Sequence, residues 1–202
     1  MKRALSVRNV IDTKFHTLEL DGQWKEAIGF PELTGSWFIY GPPKNGKTSF
    51  AMQLVKYLSK FRRVVYNSIE EGMSLSIKLA IERSGLEETG GRIVFIKNEI
   101  EELKNYLQRA KSPDIVVIDS LQFMDLKFSE YKQLKSMFRG KLFIYISHVS
   151  GNLPDGPVAR KIWRDANVIF RIEVFKAFPI SRYGGGSPIV INEELAMEYW
   201  GI

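Results

Sequence analysis

The chain has 202 residues, 45% of them hydrophobic, which is enough apolar material for one α/β domain with its own core. It carries no cysteine and only two histidines, His16 and His148, which excludes disulfides, thiolate chemistry and cysteine-bound zinc. A formal net charge of +6 favours polyanionic partners through long-range steering without identifying one.

The start, Met1-Lys2-Arg3, is basic, but no apolar stretch of signal-peptide length comes after it. The strongest apolar runs, at 115–118 and 142–146, are too short to cross a membrane. A soluble, cytoplasmic protein without membrane contact is expected. Residues 1–34 read as a lead-in of short strand and turn, and 35–202 as a single core. Within that core, β-branched runs at 37–40, 64–69, 93–96, 115–118, 142–146 and 168–174 predict strands. Several are apolar on both faces, as strands of a mostly parallel sheet covered by helices are. Helices are predicted between them. The first carries Phe50, Ala51, Leu54, Val55 and Leu58 at helical spacing, and others fall near 74–84, 99–110 and 129–138. The tail, 175–191, reads as a β-hairpin turning at Gly184-Gly185-Gly186.

Directly after the first strand stands Gly41-Pro42-Pro43-Lys44-Asn45-Gly46-Lys47-Thr48, followed by Ser49 and the helix. This is the G-x-x-x-x-G-K-[ST] phosphate loop in its strand–loop–helix setting, so residues 41–49 are the candidate ATP contacts. Lys47 is placed to reach the outer phosphates and Thr48 to ligate Mg²⁺. A second Mg²⁺ ligand is Asp119, the acid that ends the apolar strand at 115–118, where ligands of open α/β sheets gather. Ser120 rather than a glutamate comes next, so the group that deprotonates the attacking water must lie elsewhere. Glu70 and Glu71, at the end of the second strand, are the candidates.

The segment 66–74, YNSIEEGMS, is similar to the strand end that carries the catalytic glutamate in RecA, RadA and DnaB-type helicases. The whole of 35–191 resembles this RecA-like P-loop ATPase core, with the motifs in the same order and single-domain members known from phages and mobile elements. The resemblance implies Glu70 as the base and His148, after Ser147, as the γ-phosphate sensor. It implies that loops 121–127 and 151–157 face nucleic acid, with Phe123, Met124 and Lys127 in contact or in packing. Residues 180–184 are similar to the KNRFG element, which makes Arg182 an arginine acting on a neighbouring subunit's nucleotide. Ile180 stands where that element has lysine, so half of the trans pair is missing, with Lys176 a candidate substitute. Taken together, the resemblance implies an ATP hydrolase, oligomeric, acting on single-stranded DNA in recombination or replication. A regulatory ATP switch working with protein partners is the alternative. A small-molecule kinase fits less well, since no arginine-rich lid segment comes after Asp119.

Overall fold

A strand as apolar as Ile115-Val116-Val117-Ile118 is stable only where helices cover both of its faces. The computed structural model, which describes residues 4–201, builds the chain around that requirement. Met1-Lys2-Arg3 lies outside the described residues. The strands are β1 (Gly35–Tyr40), β2 (Val64–Ser68), β3 (Ile93–Ile96), β4 (Ile115–Asp119), β5 (Leu142–Ser147), β6 (Val149–Ser150), β7 (Leu153–Pro154), β8 (Val168–Glu173), β9 (Lys176–Ser181) and β10 (Ile189–Val190). Eight of them form one sheet in the order β10-β9-β8-β1-β5-β4-β2-β3, and β6 pairs with β7 in a small separate ribbon. From β8 to β3 all neighbours are parallel, while β8–β9 and β9–β10 are antiparallel.

The helices are α1 (Val7–Ile11), α2 (Gly22–Ile28), α3 (Lys47–Leu58), α4 (Leu75–Ser84), α5 (Ile100–Leu107), α6 (Leu121–Met124), α7 (Phe128–Met137), α8 (Pro157–Asp165) and α9 (Glu193–Trp200). Period-two alternation sorts the sheet side chains between two layers. Trp37, Ile39, Ile115, Val117, Ile144 and Ile146 pack against α2, α3 and α4 through Trp24, Phe50, Leu54 and Ile77. Phe38, Tyr40, Val116, Ile118, Phe143 and Tyr145 pack against α5, α7 and α8 through Leu103, Tyr131, Leu134 and Ile162. The expected α/β class, a mostly parallel sheet with helices on both faces and antiparallel C-terminal strands, is what forms. Among the described residues no helix is long and apolar enough to cross a membrane.

Two segments differ from expectation. Before residue 35 there are two helices and a single bridge between Thr17 and Glu32 instead of a strand and turn. Trp24, Ala27 and Ile28 recur at helical spacing, and α2 buries all three in the α3-side core. Trp24 stacks on Tyr57 at 5.2 Å between ring centroids, and the Tyr57 hydroxyl donates to Asp21 Oδ1 at 2.7 Å. The second difference lies at the other end of the chain. β9 and β10 do pair across Gly184-Gly185-Gly186, but β8 stops at Glu173 and first turns tightly into β9 at Val174-Phe175. Both turn residues have positive φ, 40° and 58°. Such two-residue turns normally carry Gly, Asn or Asp, so two bulky apolar residues gave no turn signal.

Replacing Trp24 by alanine is expected to lower the unfolding free energy by about 3–5 kcal/mol, the usual cost of emptying a buried aromatic site. Urea denaturation measures this, and a loss near zero would make the first 34 residues a detachable lead-in.

Candidate nucleotide site

The parallel strands all end on one edge of the sheet, and the sequence motifs meet there. β1 runs into the loop 41–46, and α3 begins at Lys47, so the first N–H groups of α3 open onto the edge with no partner inside the helix. Close backbone approach dictates the glycines. A Cβ on Gly41 would stand 2.2 Å from the Ile172 carbonyl oxygen of the neighbouring β8. Gly46 has φ of +98°, and a Cβ there would meet the Phe175 ring at 3.0 Å. Asn45 ties the loop to the β8–β9 turn. Its Oδ1 accepts from the Val174 N–H (2.8 Å), its carbonyl accepts from the Phe175 N–H (3.1 Å), and its Nδ2 donates to the Pro43 carbonyl (2.9 Å). Behind the turn, the Trp200 indole of α9 donates to the Val174 carbonyl at 3.1 Å.

The resulting cleft holds about 540 Å³. Pro43, Lys44, Gly46, Lys47, Thr48 and Ser49 line one wall, and Glu70, Glu71, Arg83, Asp119, Ser120 and His148 line the other, with Phe175 at the rim. Gly41, Pro42 and Asn45 shape the loop without lining the cleft. Lys47 is buried and donates from Nζ to the Pro42 carbonyl at 2.8 Å. Burial lowers its pKa, opposed by the charges of Asp119 and Glu70.

Asp119 owes its aim to alternation. Ile115 and Val117 face the α3 layer, so Asp119, two residues on, points toward the start of α3, where Thr48 sits. Tyr66, on the same face of the adjoining β2, donates to Asp119 Oδ2 at 2.6 Å. Burial is the main cause that lifts the Asp119 pKa from its usual 3.8 to about 6. The Tyr66 hydrogen bond and Lys47 oppose the rise, and the charges of Glu70 and Glu71 add to it.

Glu70 and Glu71 part company at the end of β2. Glu70 Oε2 accepts from Ser120 Oγ at 2.8 Å and lies 3.1 Å from His148 Nε2. Glu71 instead accepts from Ser74 and Ser76 at the start of α4. A magnesium ion fits the donors present, because Thr48 and Asp119 offer hard oxygen. Three carboxylates face this cleft, and a divalent cation relieves the repulsion that helps raise Asp119. Among the described residues no group of three or more acids or histidines stands ready to hold a metal alone, so phosphate oxygens would complete its shell.

Arg182 is not part of this cleft. The register sets Trp37 beside Val168 and Val168 beside Ser181, so Arg182 lies past the opposite edge of the sheet. Six residues of strand separate it from the β8–β9 turn, roughly 20 Å. Its N–H donates to the Asn167 carbonyl at 3.0 Å, and its side chain is exposed. After β4, where 121–124 form α6 in place of the expected loop, Leu121, Met124 and Leu126 are buried, whereas Phe123 is 55% exposed. The Phe123 ring meets the His148 ring edge-on with centroids 6.5 Å apart.

Sequence reasoning passed over Tyr66, Arg83, Phe175 and Gln122, and saw in Ser120 only the missing glutamate. Tyr66 alone left a signal, standing two residues before the strand end and so on the face that Asp119 shares.

A mostly parallel sheet in this strand order, continued by antiparallel C-terminal strands, is the RecA-like fold. Solved structures carry the same fold. A KaiC-like protein of the hyperthermophilic archaeon Pyrococcus horikoshii matches with a TM-score of 0.60 at 18% identity, over 82% of this chain and 88% of that one. The flagellar accessory protein FlaH of Methanocaldococcus jannaschii matches with a TM-score of 0.57 at 17% identity, over 86% of this chain and 91% of that one. No protein-family model matches the sequence, and no curated protein is significantly similar to it.

Asp119 also makes a stability prediction. With its pKa raised from 3.8 to about 6, the native state favours the protonated acid, and above pH 6 the buried charge is a cost. Asp119→Asn is therefore expected to stabilise the nucleotide-free protein at pH 7.5 by about 3 kcal/mol at most. That gain should shrink as pH falls through 6 and vanish below 3.8, where the acid is protonated in both states. Denaturant midpoints of both proteins across pH 3.5–8 test this, and a gain that does not change with pH would refute the assignment.

Proposed function

We propose that the chain binds ATP with Mg²⁺ and hydrolyses it, assembled as a ring or filament that acts on single-stranded DNA. The single cleft shared by Lys47, Thr48, Asp119 and Glu70 carries this assignment. Loop N–H groups, the start of α3 and Lys47 take up phosphate charge. Thr48 and Asp119 would hold the magnesium ion, which when bound neutralises charge on the transferring phosphoryl group. Glu70 orients the attacking water and accepts its proton. Ser120 and His148, both at Glu70 Oε2, fix which way the carboxylate faces, and His148 senses the γ-phosphate.

Arg182 lies out of reach of the cleft of its own chain, which is compatible with service to a neighbouring copy, where it would stabilise charge as the phosphoryl group leaves. Lys176 does not replace the lysine missing at Ile180, because its ammonium lies over the Trp200 ring at 5.1 Å. Trans stabilisation therefore rests on Arg182. The net charge of +6 and the exposed Phe123 beside His148 support the DNA target, since exposed aromatics stack bases.

A second function, an ATP switch that engages a protein partner, is favoured by the loops themselves. Loop 121–127 carries Asp125 and Lys127, and loop 151–157 carries Asp155 and no cation. Phosphate backbones are held by clustered cations, which neither loop offers. The same fold in a flagellar accessory protein is compatible with this role.

Steady-state ATP hydrolysis with and without single-stranded DNA, at two salt concentrations, separates the two, with Lys47→Ala as the blank. DNA stimulation that weakens with salt is expected of the motor. Hydrolysis dependent on Lys47 but indifferent to DNA selects the switch. Glu70→Gln should reduce turnover by about 100-fold or more while ATP binding persists. Unchanged turnover would move the base to Glu71. Specific activity should climb with protein concentration, and Arg182→Ala should flatten the climb. Strict proportionality in the unmodified protein would rule out action in trans.

A further inference from the structure

Gln122 belongs to none of the chemistry just described, yet its side-chain amide makes three hydrogen bonds beside the general base. Nε2 donates to Ser147 Oγ and to the Asp155 carbonyl oxygen, both at 2.9 Å. Oε1 accepts from the His148 N–H at 3.2 Å. The Ser147 hydroxyl, fully buried, donates in turn to the His148 carbonyl at 2.9 Å, and the Asp155 N–H donates to the same oxygen at 3.0 Å. Both backbone polar groups of His148 are thus fixed, the N–H by Gln122 directly and the carbonyl by Ser147 and Asp155, two residues that Gln122 also bonds. From that fixed backbone the imidazole Nε2 reaches Glu70 Oε2 at 3.1 Å and stands 3.5 Å from Ser120 Oγ.

The side chain is also a bridge between elements. Gln122 sits in α6, immediately after β4 and Ser120, and Asp155 belongs to the loop that returns from β5 toward α8. A small cleft of about 190 Å³ opens between the two, lined by Gln122, Asp125, Asp155 and Val158 among others. An amide suits this place because it carries two N–H donors and an acceptor on one short planar group. A glutamate would keep the acceptor for His148 and lose both donors, and a methionine of similar length would lose all three contacts.

We propose that Gln122 is a positioning residue for hydrolysis. It holds His148 against Glu70 and, because it does so from between the loops 121–127 and 151–157, it makes turnover depend on their spacing. The chemistry makes such leverage large, since small displacements of a general base cost orders of magnitude in rate. The proposal rests on the ATPase function above and deepens it.

The test is a double-mutant cycle on the full chain, reading kcat, KM for ATP and the thermal midpoint. Gln122→Met is expected to lower kcat about tenfold while KM for ATP stays within about twofold. Gln122→Glu, which keeps the His148 contact, should retain a clearly larger share of kcat. In a His148→Ala background, Gln122→Met should change kcat less than about twofold, because the path it acts through is already gone. Equal fold losses in both backgrounds would overturn the proposal, as would a loss of kcat that only tracks the thermal midpoint. If Gln122→Met does not fold, the same cycle run with Gln122→Glu decides, its loss vanishing without His148 if the proposal holds. Absence of Lys47-dependent hydrolysis in the unmodified protein removes the ATPase function and this role together. Hydrolysis of equal kcat in the unmodified protein and Gln122→Met sinks the positioning role alone.

Discussion

One carbonyl oxygen organises the acidic side of the cleft. Asp119 accepts there from the N–H groups of both Ile69 (2.8 Å) and Glu70 (3.3 Å), just past the point where Ser68 and Asp119 end the parallel register of β2 and β4. Two strands that finish level and share an acceptor must also bring their terminal side chains together. The acid on β4 and the acid after β2 therefore meet in one cleft, at a cost, mainly of burial and then of mutual repulsion, that appears in the raised pKa of Asp119. Tyr66 offsets part of that cost, and Lys47 from the start of α3 offsets a smaller part.

The other wall depends on residues far along the chain. Gly41 lies against the Ile172 carbonyl, and Asn45 is held by Val174 and Phe175, so the phosphate loop is moulded on the β8–β9 hairpin. That hairpin is secured in turn by the Ile191 N–H, which donates to the Phe175 carbonyl at 2.7 Å, and by Gln53 of α3, which donates to the Ile191 carbonyl at 2.9 Å. The cradle is thus a tertiary object assembled from both halves of the sequence, although its consensus occupies only eight residues.

Much of this was legible in advance where a local rule operates. The phosphate loop is a contiguous pattern, and the six strands announce themselves as β-branched runs bounded by polar turns. Asp119 is legible as the first acid after an apolar strand. Glu70 needed a resemblance, because nothing local separates it from Glu71; only the tertiary positions of Ser120, His148, Ser74 and Ser76 do. Helix α2 was missed because about two amphipathic turns carry little periodic signal, and the Val174-Phe175 turn because its residues are wrong for their backbone. Tyr66 and Gln122 act across 53 and 26 positions of sequence respectively, and no window reading could join them to Asp119 and His148.

The indole of Trp200 gives the molecule a built-in optical probe. Its N–H is spent on the Val174 carbonyl, the Val174 N–H is spent on Asn45, and Asn45 sits within the phosphate loop. The other tryptophans are placed differently: Trp24 and Trp37 lie inside the α3-side core, and Trp163 packs against the opposite face of the sheet. Trp200 is only partly shielded and has a lysine ammonium over its ring. Indole emission responds to hydrogen bonding and to nearby charge, so a ligand that displaced Asn45 would change the colour and intensity of Trp200 fluorescence.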